Sequence, residues 1–152
     1  MMNGGVDSIF VDTNVLVYAA VPSAPDHAIA RDALWSYEQS GVRIWISRQV
    51  LREYLATLTR PQTYSSPLVP ATLVADVVLF ERKFAVAEDN DKVTQHLLDL
   101  LVQTRPGGKQ VHDANIVATM LTYSIGSILT HNTADFDRFS DIITVLPLKQ
   151  DT

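Results

Sequence analysis

The sequence predicts an α/β fold in which helices cover both faces of a central parallel sheet. Short, β-prone apolar runs alternate along the chain with longer segments whose apolar residues recur at helical spacing. A parallel connection needs a crossover of helix length, and helix-length segments separate most of the predicted strands. With 152 residues, 47% of them apolar, the chain is long enough for one core, and we expect residues 1–152 to form a single domain.

Five strands are predicted from the apolar runs, at residues 8–11, 43–46, 84–87, 127–130 and 142–146. The first run stops abruptly at Asp12, Thr13 and Asn14, as is typical of a buried strand that leads into a helix. A short acidic and aromatic turn at residues 134–139 precedes the last strand.

Six helices are predicted, at residues 15–20, 26–39, 47–58, 70–83, 90–103 and 112–123. Gly41 and Gly126 stop the second and the last of them, Ser47 caps the third, and Pro70 suits the first turn of the fourth. Residues 60–70 contain three prolines and are predicted to form a surface loop. Residues 1–7 are expected to be a flexible start.

Composition and charge exclude several classes of protein. The net charge of −5 argues against a protein that binds nucleic acid through a broadly basic surface, although basic residues gather in the middle of the chain. Without cysteine, neither a disulfide framework nor a thiolate zinc site is available, and a reducing cytoplasm is the simplest location. No leader-like or membrane-spanning segment is recognised, so we expect no membrane partner.

Three acidic residues lie where strands end or helices begin. Asp12 directly follows the first strand, Asp113 begins the last helix, and Asp135 follows the fourth strand after a short turn. Each has an ordinary alternative role, as a helix cap for Asp12 and Asp113 and as a turn residue for Asp135. Ligands in such sheets bind beyond the carboxyl ends of the strands, so these positions also suit a functional crevice.

Glu53 differs from the other three because it lies inside a helix, where no capping role is possible. It falls about 130° from the centre of the apolar stripe, at the border of the face that packs on the sheet. That stripe consists of Val50, Leu51, Tyr54, Leu55 and Leu58. Either an exposed surface glutamate or a carboxylate that leans over the sheet edge fits this position.

If the four carboxylates converge, they require cations. Two like charges about 4 Å apart repel by roughly 4 kcal/mol at an effective dielectric of about 20. Carboxylate oxygens in a chain without cysteine select Mg²⁺ or Mn²⁺ over zinc, and neither His112 nor His131 is assigned as a ligand. Such ions activate water for attack on a phosphodiester and link an acidic protein to a polyanion.

Polar residues next to these acids are candidates for orienting carboxylates or bound water. Thr13 and Asn14 follow Asp12, while Thr130 and Asn132 precede Asp135. Their ordinary alternative is the capping of strand ends.

Together these segments resemble the four motifs of PIN-domain nucleases. The motifs are residues 10–16 (FVDTNVL), Glu53 within its helix, residues 111–114 (VHDA) and residues 130–136 (THNTADF). Their order and spacing agree over nearly the whole chain. In length and layout the chain is similar to the VapC toxins of bacterial type II toxin-antitoxin pairs.

The resemblance implies a three-layer sandwich with strand order 3-2-1-4-5 and a ribonuclease that depends on Mg²⁺ or Mn²⁺. It implies that Asp12, Glu53, Asp113 and Asp135 are the catalytic and metal-binding acids, with Thr130 as an auxiliary residue. It also implies a homodimer, an RNA substrate and an inhibitory antitoxin whose tail occupies the groove. Some relatives carry a further acid shortly after the third motif, where this chain has residues 115–117 (NIV).

Two alternatives remain open from the sequence. A phosphatase of the haloacid dehalogenase class also begins with an aspartate after its first strand, but it needs a second one two residues later, where this chain has Asn14. A non-catalytic RNA-binding PIN domain is the other alternative. Such modules typically lose acids, whereas all four are present here.

Overall fold

The computed structural model describes residues 7–150, so nearly all of the start predicted to be flexible, residues 1–7, lies outside the described part. The described chain contains one five-stranded sheet in which all strands are parallel, in the order β3-β2-β1-β4-β5. The strands are β1 (Ser8–Val11), β2 (Arg43–Ser47), β3 (Ala85–Ala87), β4 (Ser127–Thr130) and β5 (Thr144–Pro147). The predicted α/β class and strand order are confirmed.

Six α-helices connect the strands, and a 3₁₀ helix (Thr133–Phe139) links β4 to β5. The α-helices are α1 (Thr13–Ala20), α2 (His27–Gln39), α3 (Arg48–Leu58), α4 (Pro70–Lys83), α5 (Asp91–Thr104) and α6 (Gln110–Thr122). They contact one another in two groups, α1 to α4 in one and α5 with α6 in the other. Among the described residues, no helix combines the length and the apolar character needed to cross a membrane.

The central strand β1 is buried along most of its length. Ile9, Phe10 and Val11 expose none of their surface, because helices cover the sheet on both sides and strands lie along both edges of β1. Phe10 is paired with Trp45 of β2 and with Ile128 of β4. The carboxyl ends of these three strands therefore meet at one edge of the sheet.

Several predicted boundaries are wrong by a few residues. The last strand begins at Thr144 instead of residue 142, because the backbone N–H groups of Ile142 and Ile143 both donate to the carbonyl of Phe139 and continue the turn. The first helix begins at Thr13 and the last at Gln110, each two residues earlier than predicted. Ser47 caps α3 as predicted, since its hydroxyl accepts a hydrogen bond from the backbone N–H of Val50.

The segment between α3 and α4 contains no helix, in agreement with the predicted loop at residues 60–70. Its backbone is nevertheless held by hydrogen bonds. Gln62 and Ser65 exchange two backbone hydrogen bonds of 2.8 and 3.3 Å, and the backbone N–H of Leu68 donates to the carbonyl of Leu58. The segment therefore folds back against the end of α3.

Candidate active site

A cleft of about 460 Å³ is lined by all four predicted carboxylates. Asp12 comes from the end of β1, Glu53 from the middle of α3, Asp113 from the first turn of α6 and Asp135 from the 3₁₀ helix after β4. The structure thus brings together residues that are far apart in sequence. The volume lies within the range of about 300–1,000 Å³ that is common for ligand-binding clefts.

Asp12 is held at the centre of this cleft by the sheet itself. Its backbone N–H donates to the carbonyl of Leu129 at 3.0 Å, and only 8% of the residue is exposed. Its Oδ1 accepts a 2.8 Å hydrogen bond from the backbone N–H of Thr13, so Asp12 does cap α1. Since the same carboxylate lines the cleft, the capping role and the site position are not exclusive.

The other oxygen of Asp12 is oriented by two of the predicted auxiliary residues. The hydroxyl of Thr130, which is completely buried, donates to Asp12 Oδ2 at 2.7 Å. The Nδ2 of Asn14 lies 3.3 Å from the same oxygen, and Asn14 Oδ1 accepts from the backbone N–H of His131. The backbone N–H of Asn132 donates to the Thr130 hydroxyl at 3.0 Å, which fixes the direction of that group.

Both carboxylate oxygens of Glu53 are engaged inside the molecule. Oε1 accepts a 2.7 Å hydrogen bond from the hydroxyl of Thr13, and Oε2 accepts a 3.0 Å bond from Nε2 of Gln49. The alternative of a freely exposed surface glutamate is therefore wrong. Thr13 links the carboxylates of the first and second motifs, because its backbone contacts Asp12 and its side chain contacts Glu53.

Gln49 is a residue of this site that the sequence analysis missed. Only 5% of it is exposed, and its Nε2 donates both to Glu53 and, at 2.9 Å, to the backbone carbonyl of His112. Its Oε1 accepts a 2.8 Å hydrogen bond from Nδ2 of Asn115. Gln49 therefore ties α3 to the first turn of α6, which carries Asp113. Its spacing of four residues before Glu53 on a helix was the available signal.

Asp113 and Asp135 are the other two carboxylates that line the cleft. Because α6 begins at Gln110, Asp113 lies in its first turn and is not its cap, so the capping alternative is wrong. Asp135 is exposed, and its backbone N–H donates to the carbonyl of Asn132 within the 3₁₀ turn. Asp135 is a turn residue as well as a lining residue of the cleft.

Burial and mutual repulsion make two of these carboxylates hard to ionise. Burial raises the pKa of Asp12 to about 6, helped by the charges of Glu53 and Asp135 and opposed by the hydrogen bonds of Asp12. Burial first, and then the charges of the other three carboxylates, raise the pKa of Asp113 to about 7, while Arg138 opposes this rise. Full ionisation of the cluster near neutral pH is therefore unfavourable without a compensating cation.

The donor chemistry of the cleft suits a hard divalent ion. The charged donor atoms of its acidic residues are all carboxylate oxygens, and neither cysteine nor histidine lies in its lining. Within residues 7–150, however, no three acidic, histidine or cysteine side chains are grouped tightly enough to hold a metal ion as they stand. Hydrogen bonds from Thr13, Gln49 and Thr130 engage the oxygens of Asp12 and Glu53 instead. The predicted metal site stays a prediction.

Comparison with known proteins identifies relatives of this chain. The family model of the PIN domain matches residues 9–142. The ribonuclease VapC48 of Mycobacterium tuberculosis (strain H37Rv) is 26% identical over 136 residues, which cover 86% of this chain and 91% of that protein.

Solved structures share the fold at lower sequence identity. The VapC20 toxin of Mycobacterium tuberculosis, described as cleaving the sarcin-ricin loop, superposes with a TM-score of 0.64 at 19% identity, over 90% of this chain and 96% of that one. VapBC2 from Rickettsia felis, bound to a promoter DNA fragment, gives 0.67 at 17% identity, over 92% and 98%. A toxin-antitoxin complex from Klebsiella pneumoniae gives 0.66 at 17% identity, over 94% and 99%.

The raised pKa values predict an unusual pH dependence of stability for the metal-free protein. Because the folded protein binds protons at Asp12 and Asp113 more tightly than the unfolded chain does, the contribution of these groups to stability is full below pH 4 or so. It is lost as pH rises toward about 7. Over this pH interval, the free energy of unfolding should fall less in Asp12→Asn than in the wild type. The difference between the two falls should be up to about 3 kcal/mol.

Urea unfolding in a chelating buffer between pH 4.5 and 7.5 measures this difference. The matched control is Asp99→Asn, which removes an exposed carboxylate of α5 that is not part of the cleft lining. Parallel pH profiles for Asp12→Asn and the wild type would show that Asp12 does not carry the penalty.

Replacement of Gln49 tests the link between α3 and α6. Gln49→Leu leaves the carbonyl of His112, Oε2 of Glu53 and Nδ2 of Asn115 without this partner, so we expect a loss of about 1–3 kcal/mol in the free energy of unfolding. Gln95→Leu, on the exposed face of α5, is the control. Equal stabilities of the two variants in urea unfolding would contradict the expected role of Gln49.

Proposed function

This chain belongs to the PIN-domain family, and we propose that it is a metal-dependent endoribonuclease whose catalytic acids are Asp12, Glu53, Asp113 and Asp135. The observation that carries the proposal is the convergence of these four carboxylates, from four separate elements, on one cleft. The similarity to a ribonuclease over most of both chains supports the choice of RNA as substrate. Because the family is that of PIN domains, we do not propose the phosphatase alternative.

The proposed cofactor is Mg²⁺, with Mn²⁺ as a possible substitute, held by the four carboxylates. Hard oxygen ligands favour these ions. The pKa values of Asp12 and Asp113 are raised chiefly by burial and further by repulsion among the carboxylates, and a divalent cation relieves that repulsion. When bound, such ions activate the attacking water and stabilise negative charge at the scissile phosphate.

The remaining polar residues of the site orient the acids. Thr130 and Asn14 fix one oxygen of Asp12, while Thr13 and Gln49 fix the two oxygens of Glu53. Such supporting hydrogen bonds pre-organise ligands so that little reorganisation is needed when an ion or phosphate arrives.

Asn115 occupies the region where some relatives carry a further acid, and in this protein it donates to Gln49. It therefore supports Glu53 through a neighbour. In this chain the region after the third motif helps to position Glu53 through Gln49 and contributes no further carboxylate.

We further propose that the chain is the toxin of a toxin-antitoxin pair, acts in the cytoplasm and forms a homodimer. The similar structure from Klebsiella pneumoniae is described as a toxin-antitoxin complex, and the one from Rickettsia felis as VapBC2 bound to promoter DNA; both share this fold over nearly their whole length. The proposed partner is a cognate antitoxin that covers the acidic cleft and so prevents RNA from entering.

Metal-dependent cleavage is the direct test of the proposed activity. We expect the purified protein to cut single-stranded RNA in Mg²⁺ or Mn²⁺ and not in EDTA. Asp12→Asn and Asp113→Asn are expected to lower the cleavage rate at least about a hundredfold, because each removes a charged oxygen from the site. Gel analysis of a labelled RNA measures the rate, and Asp99→Asn should cleave like the wild type.

A binding measurement separates metal binding from catalysis. Mg²⁺ should raise the melting temperature of the wild type more than that of Asp113→Asn, since the ion stabilises the folded state only where the carboxylates bind it. Equal shifts would contradict a shared metal site. RNA binding without any metal-dependent cleavage would favour the non-catalytic PIN module instead.

The toxin proposal makes a separate prediction in cells. Induction of this chain alone should arrest bacterial growth, whereas induction of Asp113→Asn at the same protein level should not, because arrest requires cleavage. Growth curves with immunoblots measure both. Normal growth with the wild type at a level that yields active enzyme in extracts would contradict the toxin role. Co-expression of a small protein encoded next to this chain should restore growth.

A further inference from the structure

The cleft extends beyond the carboxylates into a second half that the proposed chemistry does not use. This half is lined by Tyr18 of α1, by Arg60 and Gln62 just after α3, and by Tyr64. Two aromatic rings and a guanidinium group thus share one continuous cavity with the four acids. We call these four residues the tyrosine half of the cleft.

The backbone around Tyr64 is fixed before any ligand binds. Gln62 and Ser65 are joined by two backbone hydrogen bonds, and the side-chain Nε2 of Gln62 donates to the carbonyl of Thr57 at 2.8 Å. Leu68 packs on the hydrophobic core farther along the same segment. A loop held at these points needs little further ordering when it binds a ligand.

The two tyrosines contact each other and remain partly open to the cleft. Their ring centroids lie 6.4 Å apart with an interplanar angle of 79°, an edge-to-face arrangement. Tyr18 makes a similar contact, at 5.3 Å, with the ring of His131. Both tyrosines are only partly buried, so apolar ring surface is available next to the acidic site.

Arg60 is a cation that lines the cleft beside the two tyrosines. Its Nε donates to the carbonyl of Ala56 at 3.0 Å, which positions the guanidinium at the end of α3. Over residues 7–150, Arg60 forms no ion pair within 4.0 Å, whereas Arg48 and Arg52 are paired with acidic residues. Its other guanidinium N–H groups suit a phosphate oxygen.

We propose that the tyrosine half of the cleft binds the nucleoside adjacent to the scissile phosphate of single-stranded RNA. The base lies against Tyr64 and Tyr18, and the next phosphate pairs with Arg60. Aromatic rings combined with a cationic group are the usual means by which proteins hold unpaired nucleotides. Bases inside a duplex are already stacked and cannot enter. The inference rests on the proposed function for the identity of the polymer.

Binding of two matched probes tests the proposal. One is a fluorescein-labelled single-stranded RNA pool of random sequence, and the other has the same length and phosphates but lacks the bases. Each variant is made in an Asp113→Asn background, which removes one repelling carboxylate and, on the proposed function, prevents cleavage. Fluorescence anisotropy in EDTA at low salt gives Kd for both probes.

This design distinguishes contacts with the bases from contacts with the phosphates. With Tyr64 present, the RNA probe should bind about tenfold more tightly than the abasic probe, as expected for a stacked base. Tyr64→Leu should abolish this preference, and Tyr64→Phe should retain it. Arg60→Gln should raise Kd for both probes by the same factor, because the proposed partner of Arg60 is a phosphate, which both probes contain.

Matched controls replace the same residue types elsewhere. Tyr37→Leu on α2 and Arg82→Gln on α4 lie outside the cleft lining and should leave both Kd values unchanged. Melting temperatures verify folding, and Arg60→Gln alters an exposed side chain, so it tests the proposal independently of the stability of Tyr64→Leu.

Three results would overturn the inference: no binding of the RNA probe, an unchanged base preference in Tyr64→Leu, or identical Kd values for Arg60→Gln and Arg82→Gln. A different result would contradict the proposed function alone. In that case the wild type would not cleave RNA in the presence of metal, although the preference for the RNA probe would still depend on Tyr64. Cleavage by the wild type without that dependence removes the nucleoside site alone.

Discussion

The carboxylate of Asp12 is held at the end of the central strand, nearly removed from water, with three other carboxylates around it. Desolvation alone disfavours its charge, and its neighbours add to the penalty. The hydroxyl of Thr130 and the backbone N–H of Thr13 offset part of this cost. Much of the surrounding structure, from the buried β4 threonine to the start of α1, supports this one ionisable group.

On the proposed function, this arrangement explains how an acidic protein can act on a polyanion. The net charge of −5 repels RNA at long range, and the cleft concentrates negative charge where the proposed chemistry occurs. On the proposed function, bound divalent ions offset much of this negative charge. In the proposed nucleoside site, Arg60 of the same cleft provides a second attraction. On the proposed function, affinity for RNA is local and depends on cations, in contrast to proteins that bind nucleic acid through a basic surface.

The sequence predicted the strands well because parallel strands buried on both faces are continuous apolar runs, such as residues 8–11. Strand order and the ligand set came from the resemblance to PIN domains, since capping and lining positions look identical locally, as Asp12 shows by occupying both. Gln49 and Tyr64 were missed because their roles depend on contacts with distant residues, His112 and Tyr18. The onset of β5 was misplaced because hydrogen bonds to the carbonyl of Phe139 extend the predicted turn through Ile142 and Ile143.

The acids and the tyrosine half of the cleft are anchored differently. Asp12 is fixed by a sheet hydrogen bond, whereas Tyr64 belongs to a connection between α3 and α4 that is held by the Gln62–Ser65 pair within it and by the bond from Leu68 to Leu58. Sequence drift in that connection leaves the sheet unchanged. Substitutions in that connection can therefore alter the proposed nucleoside site without changing the sheet that positions Asp12, and grafting the connection between relatives offers a route to exchange their target preference.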